Sequence, residues 1–205
     1  MSAFRTLLAS LVLAVVGGAV LTAATDHFQA FTSEGARKVR IREHMPRVPH
    51  ATLQTQYGRD IRLADLRGKW LLVDFIYTRC ITYCTAQGSE FALLQRKLAA
   101  PLQSGKLELL SISFDPSRDE PHQLADYLQR SGGHGGGWLA ARPVGLRQLD
   151  QLKRVFGIIV IPDGLGGYVH NTGFALVNPQ GRLVAILDTG DPDQVVRDIL
   201  GHLRS

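Results

Sequence analysis

Cys80 and Cys84 are the only thiols in the 205-residue chain, and three residues separate them. They close the run Trp70-Leu71-Leu72-Val73-Asp74-Phe75-Ile76-Tyr77-Thr78-Arg79-Cys80-Ile81-Thr82-Tyr83-Cys84, an apolar strand pattern followed by a helical one. A dithiol at a strand-to-helix turn can exchange with disulfides or hold a soft metal ion. If both cysteines were helical, their α-carbons would lie about 6 Å apart on one side of the helix, within disulfide reach. A helix N-terminus also favours the thiolate, the form that attacks or ligates. Two cysteines alone specify a metal weakly. Two thiolates and an imidazole would make a soft site suited to copper, Cu(I) in particular.

Of the seven histidines, His27, His44 and His50 fall in a polar linker, His122 in a first helical turn and His202 in the last helix; these read as surface residues. His134 lies in the glycine-rich run Gly132-Gly133-His134-Gly135-Gly136-Gly137. That run lacks the helix and the Lys-Ser/Thr ending of a phosphate-binding loop. His170 ends the loop before the apolar run 173–178. In a thioredoxin-like sheet that run lies beside the thiol-bearing strand, so its loop can reach the cysteines. Position alone is equally compatible with a solvated loop histidine.

The elements that must position these groups follow from periodicity. Leu53 to Leu63 reads as a hairpin around Tyr57-Gly58-Arg59-Asp60, and 70–76 as a central strand with one polar interruption, Asp74. A helix is predicted from about Cys84 to Ala100, with Pro101 just past its end, then a strand over Leu107–Phe114. Pro121 opens the next helix, and residues 146–156 form another, stopped by Gly157. Apolar runs at 158–161 and 173–178 are joined by a loop, Pro162–Asn171. Asn178-Pro179-Gln180-Gly181 turns into the strand Arg182–Asp188, and Asp191-Pro192 starts the last helix. Parallel crossovers followed by an antiparallel hairpin and helix describe an α/β fold, a thioredoxin-like sandwich with a central mixed sheet flanked by helices.

Residues 6–25 carry no charge and are long enough, at about 1.5 Å each, to cross a bilayer core of about 30 Å. An uncleaved N-terminal transmembrane helix fits this length, and a signal segment cleaved after Thr22-Ala23-Ala24 is the alternative. The expected organisation is therefore an anchor or signal segment over 1–25, a linker over 26–50 and a thioredoxin-like domain over 51–205. Basic residues follow the span (Arg37, Lys38, Arg40, Arg42), yet a very short tail stays inside and long domains translocate despite such charge. The expected location is a cytoplasmic membrane, crossed once, with the domain on the periplasmic side. Val39 and Ile41 alternate with Lys38, Arg40 and Arg42 in a strand-like period, within a basic stretch read as a solvated juxtamembrane segment. The net charge of +5 is mild, and no aromatic interleaving or base-reading motif points to nucleic acid.

Residues 50 to 203 resemble the Sco/SenC copper-assembly proteins of cytochrome c oxidase. The resemblance is carried by Gly68-Lys69, the Cys80-x-x-x-Cys84 spacing, Asp115-Pro116-x-Arg118-Asp119, Phe156-Gly157, and His170 nine residues before Pro179. It implies Cys80 and Cys84 as thiolate ligands and His170 as the imidazole ligand. The implied cargo is copper, as Cu(I) and also as Cu(II), delivered to oxidase subunit II or to another copper or thiol partner. A single N-terminal membrane helix is also typical of the family. Asp115 and Asp119 match family positions near the site, where shaping a turn and starting a helix are the plain roles. Three departures stand out: Ile81 and Thr85 replace the prolines that usually follow each cysteine, and Val169 replaces the aspartate that usually precedes the histidine. A ligating imidazole needs such an acceptor at its other nitrogen, so its loss is expected to weaken copper binding.

The competing reading is a thiol–disulfide oxidoreductase that reduces a partner's cysteines, Cys80 and Cys84 being the redox-active pair. A peroxidase is disfavoured because Thr78-Arg79 immediately before Cys80 does not surround a peroxide.

Overall fold

The apolar run at 70–76 forms the centre of a seven-stranded sheet. The structure, a computed structural model, describes residues 2–25, 32–80, 83–134 and 136–204, without the side chains of residues 2, 24 and 83–86. It divides into two compact units, Met1–His44 and Met45–Ser205.

The first unit holds helices α1 (Ser2–Ala24) and α2 (Ser33–His44). Within α1, the 21 residues Ala3–Ala23 are long and apolar enough to cross a membrane, and none of that stretch is buried in the protein. The strand-like alternation at 38–42 is overturned, since these residues lie within α2, and the stretch is not wholly solvated, because Arg37, Val39 and Ile41 are buried. Arg, Lys and Glu are better helix formers than strand formers. The Thr32 hydroxyl accepts the Gly35 N–H at 3.0 Å and Arg37 pairs with Glu34 at 2.7 Å, which seeds the first turn.

The second unit runs β1 (Thr52–Thr55), β2 (Asp60–Arg62), β3 (Trp70–Ile76), α3 (Tyr83–Lys97), α4 (Ala99–Gln103), β4 (Leu107–Ser113), α5 (Pro121–Ser131), β5 (Trp138–Pro143), α6 (Leu146–Phe156), β6 (Val160–Pro162), β7 (Tyr168–His170), β8 (Phe174–Val177), β9 (Leu183–Leu187) and α7 (Pro192–Arg204). The main sheet has the order β2-β1-β5-β4-β3-β8-β9, with β6 and β7 paired separately. β3 lies parallel to β4 and antiparallel to β8. The run 173–178 therefore does border the thiol-bearing strand. This is the mixed, helix-flanked thioredoxin-like sheet expected from the pattern.

Side chains alternate across β3. Leu72 and Ile76 join a core built with Phe91 and Leu94 of α3, Leu98 between α3 and α4, Leu124 of α5 and Ile199 of α7. On the opposite face Phe75 meets Phe156 of α6, ring centres 5.1 Å apart. Gly157 closes α6 at φ 66°, a left-handed conformation that glycine adopts without strain.

Three expectations need correction. β5 was not anticipated: Ala140, Ala141, Arg142 and Pro143 are poor strand formers, and the pairing with β4 and β1 on either side makes the strand. Pro101 does not follow the helix but sits in the first turn of α4, where no intrahelical N–H bond is lost. The segment 162–171 is not a simple loop, because Tyr168–His170 pairs with Val160–Pro162 as a hairpin.

Candidate thiol and imidazole site

Beyond β3 the chain makes a turn in which Cys80 N–H donates to the Tyr77 carbonyl at 3.3 Å. Cys80 thus precedes α3, whereas Cys84 is the helix's second residue, so the pair does not share one helix. The Cys84 side chain, like Ile81 and Thr82, lies outside the described portion.

The turn is clamped through Thr78. Its N–H and hydroxyl donate to the two oxygens of Asp119 at 3.1 and 2.7 Å, and the Ser113 hydroxyl donates to the same carboxylate at 2.5 Å. Arg130 donates to the Thr78 carbonyl at 3.2 Å. Asp119 is fully buried, and burial raises its pKa while the hydroxyl and amide donors oppose the rise. Asp115 shapes its own turn: its carbonyl accepts the Arg118 and Asp119 N–H groups at 3.0 Å each. Asp119, by contrast, does not start α5, whose N-cap is Glu120. Its carboxylate reaches back to hold the turn that carries Cys80.

His170 ends β7, directly opposite Val160. Its ring packs against Phe114 (5.0 Å between centres) and Tyr77 (6.3 Å). Nδ1 lies 3.0 Å from the Asn171 carbonyl, which can only accept, so Nδ1 carries the proton and Nε2 keeps the lone pair. The acceptor whose loss Val169 implied is thus supplied by the backbone. Burial lowers the His170 pKa, and the Asn171 hydrogen bond opposes this in part. A neutral imidazole is the form that ligates metal. Asn171 fastens the hairpin base, accepting the Ile159 N–H at 2.8 Å and donating to the Gly157 carbonyl at 3.0 Å.

Cys80 and His170 line one cavity of about 680 Å³, together with Tyr77, Gln87, Glu90 and Asp163. Among the described residues, no three His, Cys, Asp or Glu side chains cluster as a metal site. His134 lines a different cavity beside Tyr57 and Trp138, and its N–H donates to Gln95. Sequence reading missed Gln87, Glu90, Tyr77 and Asp163. Only Gln87 had a signal, three residues after Cys84 on the same helix, where such neighbours share a face.

A thioredoxin-like domain with a thiol pair at the end of its central strand and a neutral imidazole across the cavity defines a class of thiol- and metal-handling proteins. The SCO1/SenC family model matches residues 41–204, and the chain belongs to that family. The SCO1 protein homolog of Bacillus subtilis strain 168 is 30% identical over 135 residues, 65% of this chain and 69% of the relative. The human mitochondrial SCO1 homolog is 25% identical over 202 residues, 92% of this chain and 64% of its own length. Among solved structures, BsSco is 26% identical with a TM-score of 0.66, covering 77% of this chain and 93% of BsSco. BsSco is a member of the Sco family of cytochrome c oxidase assembly proteins in which a disulfide switch has been identified. Yeast Sco1 with copper bound shares the fold at 24% identity, with a TM-score of 0.64 over 78% of this chain and 90% of that one.

Proposed function

We propose that this protein is a membrane-anchored copper metallochaperone that binds copper through Cys80, Cys84 and His170 and assists assembly of the copper centre of cytochrome c oxidase. The observation that carries this reading is that Cys80 and His170 line one cavity, with His170 Nδ1 hydrogen-bonded to the Asn171 carbonyl. Soft thiolates and an imidazole suit Cu(I), and ligand exchange with a partner's thiols would pass the ion on. The copper-bound yeast relative and the oxidase-assembly role of the Sco family, to which BsSco belongs, support the same cargo and destination. Residues 1–25 would anchor the chain in the cytoplasmic membrane, 26–50 would link, and 51–205 would work on the periplasmic side.

The test is a competitive Cu(I) titration of the reduced full-length chain in detergent beside its His170→Ala variant. One tight equivalent, weakened at least about tenfold by the substitution, is expected. Weak binding indifferent to His170 would overturn the three-ligand site. The disulfide switch of BsSco favours a second reading, in which Cys80 and Cys84 reduce a partner's cysteines. A dithiol potential able to reduce that partner, without tight copper binding, would select it.

A further inference from the structure

The residue immediately before Cys80 is tied to the hairpin that carries His170. Arg79 Nη2 donates to the Gly166 carbonyl at 3.0 Å, at the tip between β6 and β7. The same nitrogen lies 3.5 Å from Oδ2 of buried Asp115, in the turn after β4. That carboxylate is itself held, accepting the Ser117 hydroxyl at 3.1 Å and pairing with Arg118 at 3.4 Å. One guanidinium thus joins the Cys80 turn, the Asp115 turn and the hairpin tip. A cation bonded to a carbonyl makes one of the stronger single hydrogen bonds, although solvent weakens it at a side chain 45% exposed.

The outer side of the hairpin bears Ile159, Ile161, Leu165 and Val169, all exposed, so its placement depends on fasteners along the inner side. Asn171 ties the base, and midway the Tyr77 hydroxyl accepts the Tyr168 N–H at 3.3 Å. The tip is braced within itself, Asp163 Oδ1 accepting the Leu165 and Gly167 N–H groups at 2.7 and 2.9 Å. It also closes tightly: a Cβ at Gly167 would stand 3.1 Å from Tyr77 Oη and 2.6 Å from Asp163 Oδ2. Across the cavity, β3 is buried from Leu71 to Ile76, even at Asp74, whose carboxyl desolvation pushes up to a pKa of about 7. The Cys80 turn therefore stands on a fixed base, and the hairpin is the wall that can tilt. Arg79 holds the end farthest from the Asn171 base, where a tether has the longest lever on that tilt.

We propose that Arg79 is a positioning residue for copper binding, which acts through His170 by holding the hairpin tip against the turn that carries Cys80. This rests on the three-ligand copper reading above. Of that ligand set, His170 is the member on the hairpin, and Cys80 adjoins the residue that holds the hairpin in place. Bonded to Gly166, Arg79 keeps the imidazole wall in its ligand-competent placement. Without that bond the hairpin tilts, the competent fraction falls, and the apparent affinity falls in proportion. Both contacts of Arg79 come from Nη2, so the guanidinium is not used as a bidentate fork. A lysine ammonium can replace a single bond of this kind.

The test is a double-mutant cycle of Arg79→Ala and His170→Ala, read by competitive Cu(I) titration of the reduced full-length protein in detergent, with Arg79→Lys as the conservative variant. Arg79→Ala should weaken binding about fivefold or more while His170 is present, and by less than about twofold once position 170 is alanine. Arg79→Lys should keep most of the wild-type affinity. Amide exchange at Gly167 and Tyr168 should quicken in Arg79→Ala, since the tip loses its tether. An equal loss in both backgrounds would overturn the proposal, because Arg79 would then act on the fold or the thiols and not through His170. Wild-type affinity in Arg79→Ala beside a clear loss in His170→Ala would overturn it too, and would leave the three-ligand site standing. Wild-type affinity in His170→Ala would overturn that site and the positioning role together.

Discussion

At Asp119 a single carboxylate answers three donors, and the turn before Cys80 depends on it. Asp119→Asn replaces one acceptor oxygen with an NH2 group that faces a donor. The substitution should therefore cost about 1–3 kcal/mol in urea unfolding, with a matching fall in Cu(I) affinity. Asp74 calls for a different experiment. Its carboxyl ionises near 3.8 when unfolded and near 7 in the fold, so between these values the folded chain holds a proton that the unfolded chain has lost. Its contribution is fully present below about pH 3.8 and is lost as pH rises through about 7. The loss amounts to roughly 4 kcal/mol at 1.36 kcal/mol per pH unit. Denaturation series across this window should show a steeper decline for wild type than for Asp74→Asn; parallel curves would refute the shift. Neither role is visible in the sequence. Asp119 reads as a helix-starting acid and Asp74 as an interruption in a strand, because a local pattern cannot show which donors lie across the fold.

The hairpin of β6 and β7 is the element that carries His170, and Asn171 ties its base to the end of α6. Asn171→Ala removes both bonds, and a loss of about 1–2 kcal/mol is expected together with faster amide exchange at Ile159. Unchanged exchange there would mean that pairing with β7 alone holds the segment. At the other end of the domain, Asp191 Oδ1 accepts the Gln194 N–H at 3.0 Å, the N-cap that Asp191-Pro192 announced. Asp191→Ala should lower stability by about 1 kcal/mol without altering the thiols. The starts of α5 and α7, the end of α6, the β1–β2 hairpin and the central strand were legible because caps, glycines and apolar periods are local signals. β5 and the His170 hairpin were not, since both consist of short segments whose strand character comes from their partners.

At the scale of the whole molecule, α1 and the domain differ in what they bury. The stretch Ala3–Ala23 is long and apolar enough to cross a membrane and is not buried in the protein, whereas the sheet buries its own core. The full-length chain should sediment with membranes and resist carbonate extraction, and a chain lacking residues 1–25 should be soluble; release of the full-length protein by carbonate would exclude a spanning anchor. The fold class, the neighbouring of β3 and β8 and the dithiol at the end of β3 follow from the sequence alone, for periodicity and spacing along the chain encode them. The tertiary structure alone decided that Cys80 precedes α3 while Cys84 lies within it, and that His170 faces the cavity of Cys80. It alone showed that the Asn171 carbonyl replaces the acceptor lost at position 169. A hydrogen bond to a backbone carbonyl leaves no side-chain signature, and burial is a property of neighbours that only folding assembles.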